Sequence, residues 1–247
     1  MSLFFDKIKL LEAYSHILKH LCEDVNDNLD ISKENNQFSL NTLSSLSSFK
    51  KKVAYCKQYL KHLGTGSARI VFLLPNGHAL KLAYNSKGLA QNQAESGDYY
   101  KAQFDCFAKT FNSADDFKWT ETELATKCKK SDFTELLGVT FEELQDMLVL
   151  LVRQHGRGTE FRYRGNASGR TDEDLRQQLD EYLEDYDNFF YQINEFIGNY
   201  GIRESISDAF RLANWGIVMR DNERWLVIID SGLNEEVFDD YYRRKGF

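Results

Sequence analysis

The sequence predicts an α+β chain in which a small antiparallel sheet precedes a mostly helical half. Two observations carry this expectation. Two β-rich runs, Arg69–Leu74 and His78–Ala83, flank the strong turn signal Pro75-Asn76-Gly77. From Ser131 to Tyr200, by contrast, apolar residues recur at helical steps of three and four.

In chain order, Phe4, Ile8, Leu11, Tyr14, Leu18 and Leu21 share one face of an amphipathic N-terminal helix. That helix either docks on the rest of the chain or binds a partner. Residues 26–48 are rich in Asn and Ser and read as a polar linker. Gly64-Thr65-Gly66-Ser67 then opens the antiparallel meander. Residues 85–104 read as a helix containing Gln91, Gln93 and Glu95. Trp119–Cys128 alternates as one or two strands. Thr140-Phe141-Glu142-Glu143 is a capping box ahead of an apolar run to Val152. Thr171 is expected to cap one long helix reaching Tyr200, its solvated face formed by eight acids between Asp172 and Asp187. Gly216–Met219 and Trp225–Asp230 form a hairpin around Asp221-Asn222. The organisation expected is 1–50 for the N-terminal helix and linker, 51–127 for the sheet lobe and 128–247 for the helical lobe.

Composition narrows the function classes. The chain has 247 residues, 42% hydrophobic and 28% charged, with a net charge of −7. This is globular composition for one domain or two lobes. The acidic balance disfavours a nucleic-acid or membrane-surface protein. No apolar run approaches the length of a membrane span. Asp6, Lys7 and Lys9 interrupt the apolar core that a signal peptide needs. Cys22, Cys56, Cys106 and Cys128 form no C-x-x-C pair, so reduced thiols in a cytoplasmic protein are expected. The Asn166-Ala167-Ser168 sequon has no meaning in that compartment.

Four features can hold chemistry. Gly64-x-Gly66 between two strands can bring backbone N–H groups close to phosphates, or it is a plain tight turn. A Rossmann fingerprint is disfavoured, because the glycines are not followed by a helix. Lys81 alternates against Leu80 and Leu82 on its strand, and Glu95 on the next helix can pair with it. Asp208, Asn214 and Asp230 are hard oxygen ligands suited to Mg²⁺, with Asp230 at the end of a five-residue apolar run. An aspartate opening a tight turn is the alternative for Asp230.

In this order the four features resemble the protein-kinase superfamily, which implies a bilobal fold with a reduced helical C-lobe and an extra N-terminal helix. Gly64, Gly66, Ser67, Arg69 and Val71 are similar to its glycine-rich loop, and Ala79-Leu80-Lys81 to its Ala-x-Lys strand. Asp230-Ser231-Gly232 resembles the Asp-Phe-Gly motif and Asn214 the catalytic-loop asparagine, with residues 122–127 as the hinge. Gly66–Phe72, Gln91–Glu95 and Asn214–Val218 further resemble segments of uncharacterised kinase-like proteins of tailed bacteriophages.

The resemblance implies ATP and Mg²⁺ as cofactors. Loop amides would cover the phosphates and Lys81 would bind them, oriented by Glu95. Asp230 and Asn214 would hold the metal, and Asp208 would accept the substrate proton. The departures are specific. Arg69 replaces the third loop glycine, where it tightens or blocks the loop or itself reaches a phosphate. Ile206-Ser207 precedes Asp208, and five residues rather than four separate it from Asn214. Ser231 replaces the phenylalanine, and 15 residues follow Gly232 with no Ala-Pro-Glu.

Two readings follow. One is an ATP- and Mg²⁺-dependent phosphotransferase acting on a protein or small molecule. The other is a catalytically inactive pseudokinase serving as a protein-binding module or a phage virion or host-takeover component. A protein partner is expected through residues 1–50 or through the loop 153–170, which carries Arg153, Arg157, Arg162, Arg164 and Arg170. The alternative for that loop is a solvated segment balancing the acidic helix behind it.

Overall fold

The computed structural model describes residues 37–97, 104–155, 166–200, 209–229, 237, 240 and 241. The expected N-terminal helix, Arg157, Arg162, Arg164, Asp208 and Asp230–Gly232 lie outside the described residues. Residues from Ser39 onward form one compact unit. Its architecture is mixed α and β, with antiparallel sheets and helices, as expected.

Among the described residues two short helices precede the sheet, α1 at Leu40–Ser45 and α2 at Phe49–Tyr59. The serines that read as linker are their caps. Ser39 Oγ accepts from Thr42 N at 3.4 Å and Ser48 Oγ from Lys51 N at 3.3 Å. An N-cap serine satisfies an otherwise orphaned amide, so polar composition here marks helix starts. Lys52 is buried and donates to the Leu43 carbonyl and, at 3.0 Å, to that of Ser44. A cation on the last carbonyls of α1 suits the helix dipole. Desolvation still lowers the lysine's pKa, partly opposed by Asp116.

The first sheet comprises β1 Lys61–Thr65, β2 Arg69–Leu73, β3 Ala79–Ala83, β4 Thr110–Ser113 and β5 Trp119–Thr122, in spatial order β1-β2-β3-β5-β4. Helix α3, Ser86–Gly97, lies between β3 and β4 in the chain and packs on β3, β4 and β5. Leu80 and Leu82 are fully buried on one face of β3, and Lys81 takes the other. Trp119 donates its indole N–H to Ser44 Oγ at 2.9 Å, fastening α1 to β5.

The second sheet holds β6 Thr126–Lys127, β7 Trp215–Arg220 and β8 Glu223–Ile228. Asp221 and Asn222 have φ of 51° and 67°, the paired left-handed residues of a tight two-residue hairpin. Cys106–Ala108 runs beside β8, donating Ala108 N to Ile228 O at 3.0 Å and accepting Ile228 N at Cys106 O at 2.9 Å. The Trp119–Cys128 stretch thus supplies one strand to each sheet. Residues 123–125 form the link, and 126–127 already belong with the C-terminal hairpin.

The helices described in full in the second half are α4 Lys130–Leu137, α5 Phe141–Gln154, α6 Asp172–Leu183 and α7 Phe189–Tyr200. The Thr140 capping box is formed, and α5 is buried along most of its length. The single helix expected from Thr171 to Tyr200 is broken at 184–188. Asn188 restarts the chain, its Oδ1 accepting Phe190 N at 2.9 Å. The break lets α7 fold back on α6, stacking Tyr182 on Phe190 with centroids 5.1 Å apart. Apolar periodicity survived that turn because both helices face one core. No helix among the described residues is long and apolar enough to cross a membrane.

Candidate functional site

The site begins with sheet register. Val71, Lys81 and Thr120 are direct partners across β2, β3 and β5, so their side chains share a face. Arg69, two residues before Val71, belongs to the same face. Helix α3 covers it and presents Asn92 and Glu95, three residues apart and therefore adjacent on its surface.

Glu95 is the hub. Its side chain is 2% exposed, and its two oxygens meet different cations. Lys81 Nζ donates to Oε2 at 2.9 Å. Arg69 Nη1 lies 2.8 Å from Oε1 as an ion pair. Burial alone would raise the carboxyl pKa. The Arg69 and Lys81 charges outweigh it and hold Glu95 at about 2.

Asn92 completes the cluster. Its Oδ1 accepts from Arg69 Nη1 at 3.4 Å and Thr120 Oγ1 at 3.5 Å. Its Nδ2 donates to the carbonyls of Phe117 at 2.8 Å and Lys81 at 3.4 Å. Asn92 and Thr120 were not among the residues expected at the site. The available signal was an amide three positions before the glutamate on one helix.

Lys81 also reaches the second half of the chain. Its ammonium donates to the backbone carbonyl of Ile229 at 3.0 Å. Ile229 in turn donates its N–H to the carbonyl of Asn214 at 2.9 Å. Asn214 closes a 3-10 turn, Leu212–Asn214, ahead of β7. Trp215 anchors that turn from below, donating Nε1 to Ala209 O at 2.7 Å. Lys81, Glu95, Asn214 and the residue before Asp230 are thereby joined by one chain of hydrogen bonds.

The glycine hairpin is held against the start of α3. Gly64 lies in β1 opposite Val71, and Gly66 N donates to Arg69 O at 2.8 Å. Tyr84 Oη donates to Gly66 O at 2.9 Å, Asn85 Nδ2 to Ser67 O at 3.4 Å, and Lys87 Nζ to Ser67 Oγ at 3.0 Å. Gly88 is required at this corner: a Cβ there would sit 2.3 Å from the Ala68 carbonyl oxygen. The tip at Gly66 and Ser67 stays exposed, while Arg69 turns inward to Glu95.

The link between sheets is fixed by Arg220. It grips Glu123 with Nε at 2.9 Å and Nη2 at 2.6 Å, and donates to the carbonyls of Asp105 at 2.7 Å and Phe107 at 2.9 Å. Burial works against the Glu123 carboxylate, and the Arg220 hydrogen bonds reverse this, leaving its pKa lowered. Gly216 lies beneath the link, where a Cβ would come within 2.6 Å of Ala125 Cβ and 2.8 Å of Ile229 Cγ2.

At the described ends of the Arg-rich loop, the arginines pair within the chain. Arg153 lies 3.6 Å from Asp172, and Arg170 binds Glu143 at 2.8 Å and Gln178 at 2.6 Å. Among the described residues no group of three or more His, Cys, Asp or Glu side chains is placed to hold a metal.

Among solved structures, the chain is similar to the aminoglycoside phosphotransferase APH(2'')-Ib in its ADP-bound form, at 14% identity and a TM-score of 0.34 over 76% of this chain and 71% of that one. It is similar to APH(2")-IIa in a streptomycin–ATP ternary complex and in a gentamicin complex, at 14% identity and TM-scores of 0.33 and 0.32, with the same coverages. No family model matches the sequence, and no curated protein does.

Proposed function

We propose that the chain is a kinase-like nucleotide-binding protein that takes ATP between its glycine hairpin and the Asn214–Ile229 corner, and that it transfers the terminal phosphoryl group to an acceptor still to be found. The observation that carries this reading is the Lys81–Glu95 ion pair at 2.9 Å, with the same ammonium 3.0 Å from the Ile229 carbonyl. A lysine fixed by a buried carboxylate is an oriented cation, and its third N–H has no partner among the described residues. An ammonium has three donors, and two are accounted for among the described residues. Such a group suits the non-bridging oxygens of a polyphosphate.

In this reading the exposed tip at Gly66 and Ser67 lies over the phosphates, with Val71 beneath it. Mg²⁺ fits the donor set, because Asn214 and Asp230 offer hard oxygens. The hydrogen bond from Ile229 to Asn214 supports this reading, because Ile229 directly precedes Asp230 in the sequence. The metal would offset phosphate charge when bound. Asp208, one residue before the anchored Ala209, is the proton acceptor on this account. Transfer needs little beyond these parts, because it depends chiefly on positioning and charge stabilisation.

The test is binding of a fluorescent ATP analogue to wild type and Lys81→Met, followed by a search for labelled product from γ-labelled ATP. Saturable binding lost in Lys81→Met, with Mg²⁺-dependent label transfer, is expected. Saturable binding without transfer would leave a pseudokinase. No binding at millimolar analogue would overturn the proposal.

A further inference from the structure

Arg69 occupies the loop position where the resemblance has a glycine, yet its guanidinium is aimed away from the tip. Its side chain is 9% exposed, and it lies 2.8 Å from Glu95 Oε1 and 3.4 Å from Asn92 Oδ1. Lys81 takes the other oxygen of the same carboxylate. A buried carboxylate is tolerated only while a cation or donors compensate it. Were Lys81 the sole counter-ion, a phosphate drawing its ammonium away would leave Glu95 uncompensated, and α3 would lose its charged tie to the sheet. Two cations on two oxygens avoid that conflict. The loop stem is fixed to the same helix through Asn85 and Lys87, so loop and helix are already one unit.

We infer that Arg69 is a positioning residue: it keeps Glu95 and α3 in place through Oε1, so that Lys81 on Oε2 can share its ammonium with the polyphosphate of a nucleoside di- or triphosphate. This rests on the nucleotide-binding reading above and adds a role that touches no phosphate. Arg69 acts through Glu95 on Lys81, and its effect is confined to the phosphate-dependent part of binding.

The experiment uses the full chain in wild-type, Arg69→Met, Arg69→Gln and Arg69→Lys forms, each checked for cooperative unfolding. ADP and adenosine are each titrated by displacement of a fluorescent ATP analogue. The expected result is a ratio of ADP to adenosine affinity that falls roughly 10-fold in Arg69→Met and Arg69→Gln, the scale of coupling between residues in one network. Arg69→Lys should restore most of it. A ratio unchanged in the folded variants, even with both affinities lowered together, would overturn the inference, because a purely structural role weakens both ligands alike. If wild type binds no analogue, the nucleotide reading itself fails and takes this inference with it. The Gln variant keeps the test open should Arg69→Met fail to fold.

Discussion

Lys81 Nζ donates to the backbone carbonyl of Ile229 at 3.0 Å, across 148 residues of sequence. The same ammonium donates to Glu95 Oε2 at 2.9 Å, so one side chain ties the third strand and α3 to the C-terminal hairpin. Neither partner is near Lys81 in the chain. Their meeting depends on the sheet register, the seat of α3 and the length of β8 together.

The Glu95 carboxylate sets an acid limit on stability. Its folded pKa of about 2 lies below its ordinary 4.5. A depressed carboxyl contributes stability that is fully present above 4.5 and lost as pH falls toward 2. A shift of that size corresponds to on the order of 3 kcal/mol. Urea unfolding of wild type should therefore weaken between pH 5 and pH 3. Glu95→Gln should be less stable at pH 7 by about 3–5 kcal/mol, having left the buried Arg69 and the part-buried Lys81 without their anion. It should also show a flatter dependence over that range. Equal pH dependence in the two proteins would contradict the assignment.

Gly216 and Gly64 should behave oppositely on substitution by alanine. A Cβ on Gly216 would meet Ala125 and Ile229 inside 3 Å, whereas one on Gly64 has nothing within 4 Å. Gly216→Ala should cost about 1–3 kcal/mol through overpacking. It should also displace Ile229, the carbonyl partner of Lys81, and weaken nucleotide binding. Gly64→Ala should leave the melting temperature within about 2 °C, as surface substitutions do. Thermal unfolding of the two variants side by side checks this.

Arg220 should resist even its closest replacement. Its planar fork serves Glu123 and two carbonyls at once, a geometry that an ammonium cannot reproduce. Arg220→Lys is expected to lose about 2–3 kcal/mol, the scale of hydrogen bonds to charged groups. Chemical denaturation reads this directly, and a loss below 0.5 kcal/mol would contradict the role given to the node.

The buried thiols should be inert until the chain unfolds. Burial pushes Cys56 and Cys128 up to about 12 and raises Cys106 as well. The thiolate is the reactive form, so these cysteines should not react at pH 8 in native protein. Titration with an aromatic disulfide reagent before and after adding denaturant measures the difference.

Local signals carried much of the fold. The Thr140 capping box, the Asp221-Asn222 turn and the Pro75-Asn76-Gly77 hairpin are set by residues a few positions apart, and each is where its chemistry places it. Strand β4 escaped because Thr110–Ser113 is polar and half exposed, with no alternation to read. The linker assigned to 26–48 hid the caps of α1 and α2, since the same serines suit a loop or a helix start. At the site, Lys81 and Glu95 were legible as an ordered pair. The partnership of Arg69 with Glu95 was not, because residues 69 and 95 meet only through strand register and helix docking. Asn92 was silent for the same reason.

The central claim is that Lys81 serves a nucleotide, and thermal unfolding with ATP tests it most directly. Wild type and Lys81→Met are compared with ATP, with and without Mg²⁺. Saturating ligand near 100 times Kd should stabilise wild type by roughly 2.7 kcal/mol, which is about 5–10 °C for a chain of this size. The account predicts that shift in wild type, larger with Mg²⁺, and its loss in a Lys81→Met protein that still folds because Arg69 retains Glu95. An equal shift in both proteins, or none in wild type at millimolar ATP, would contradict it.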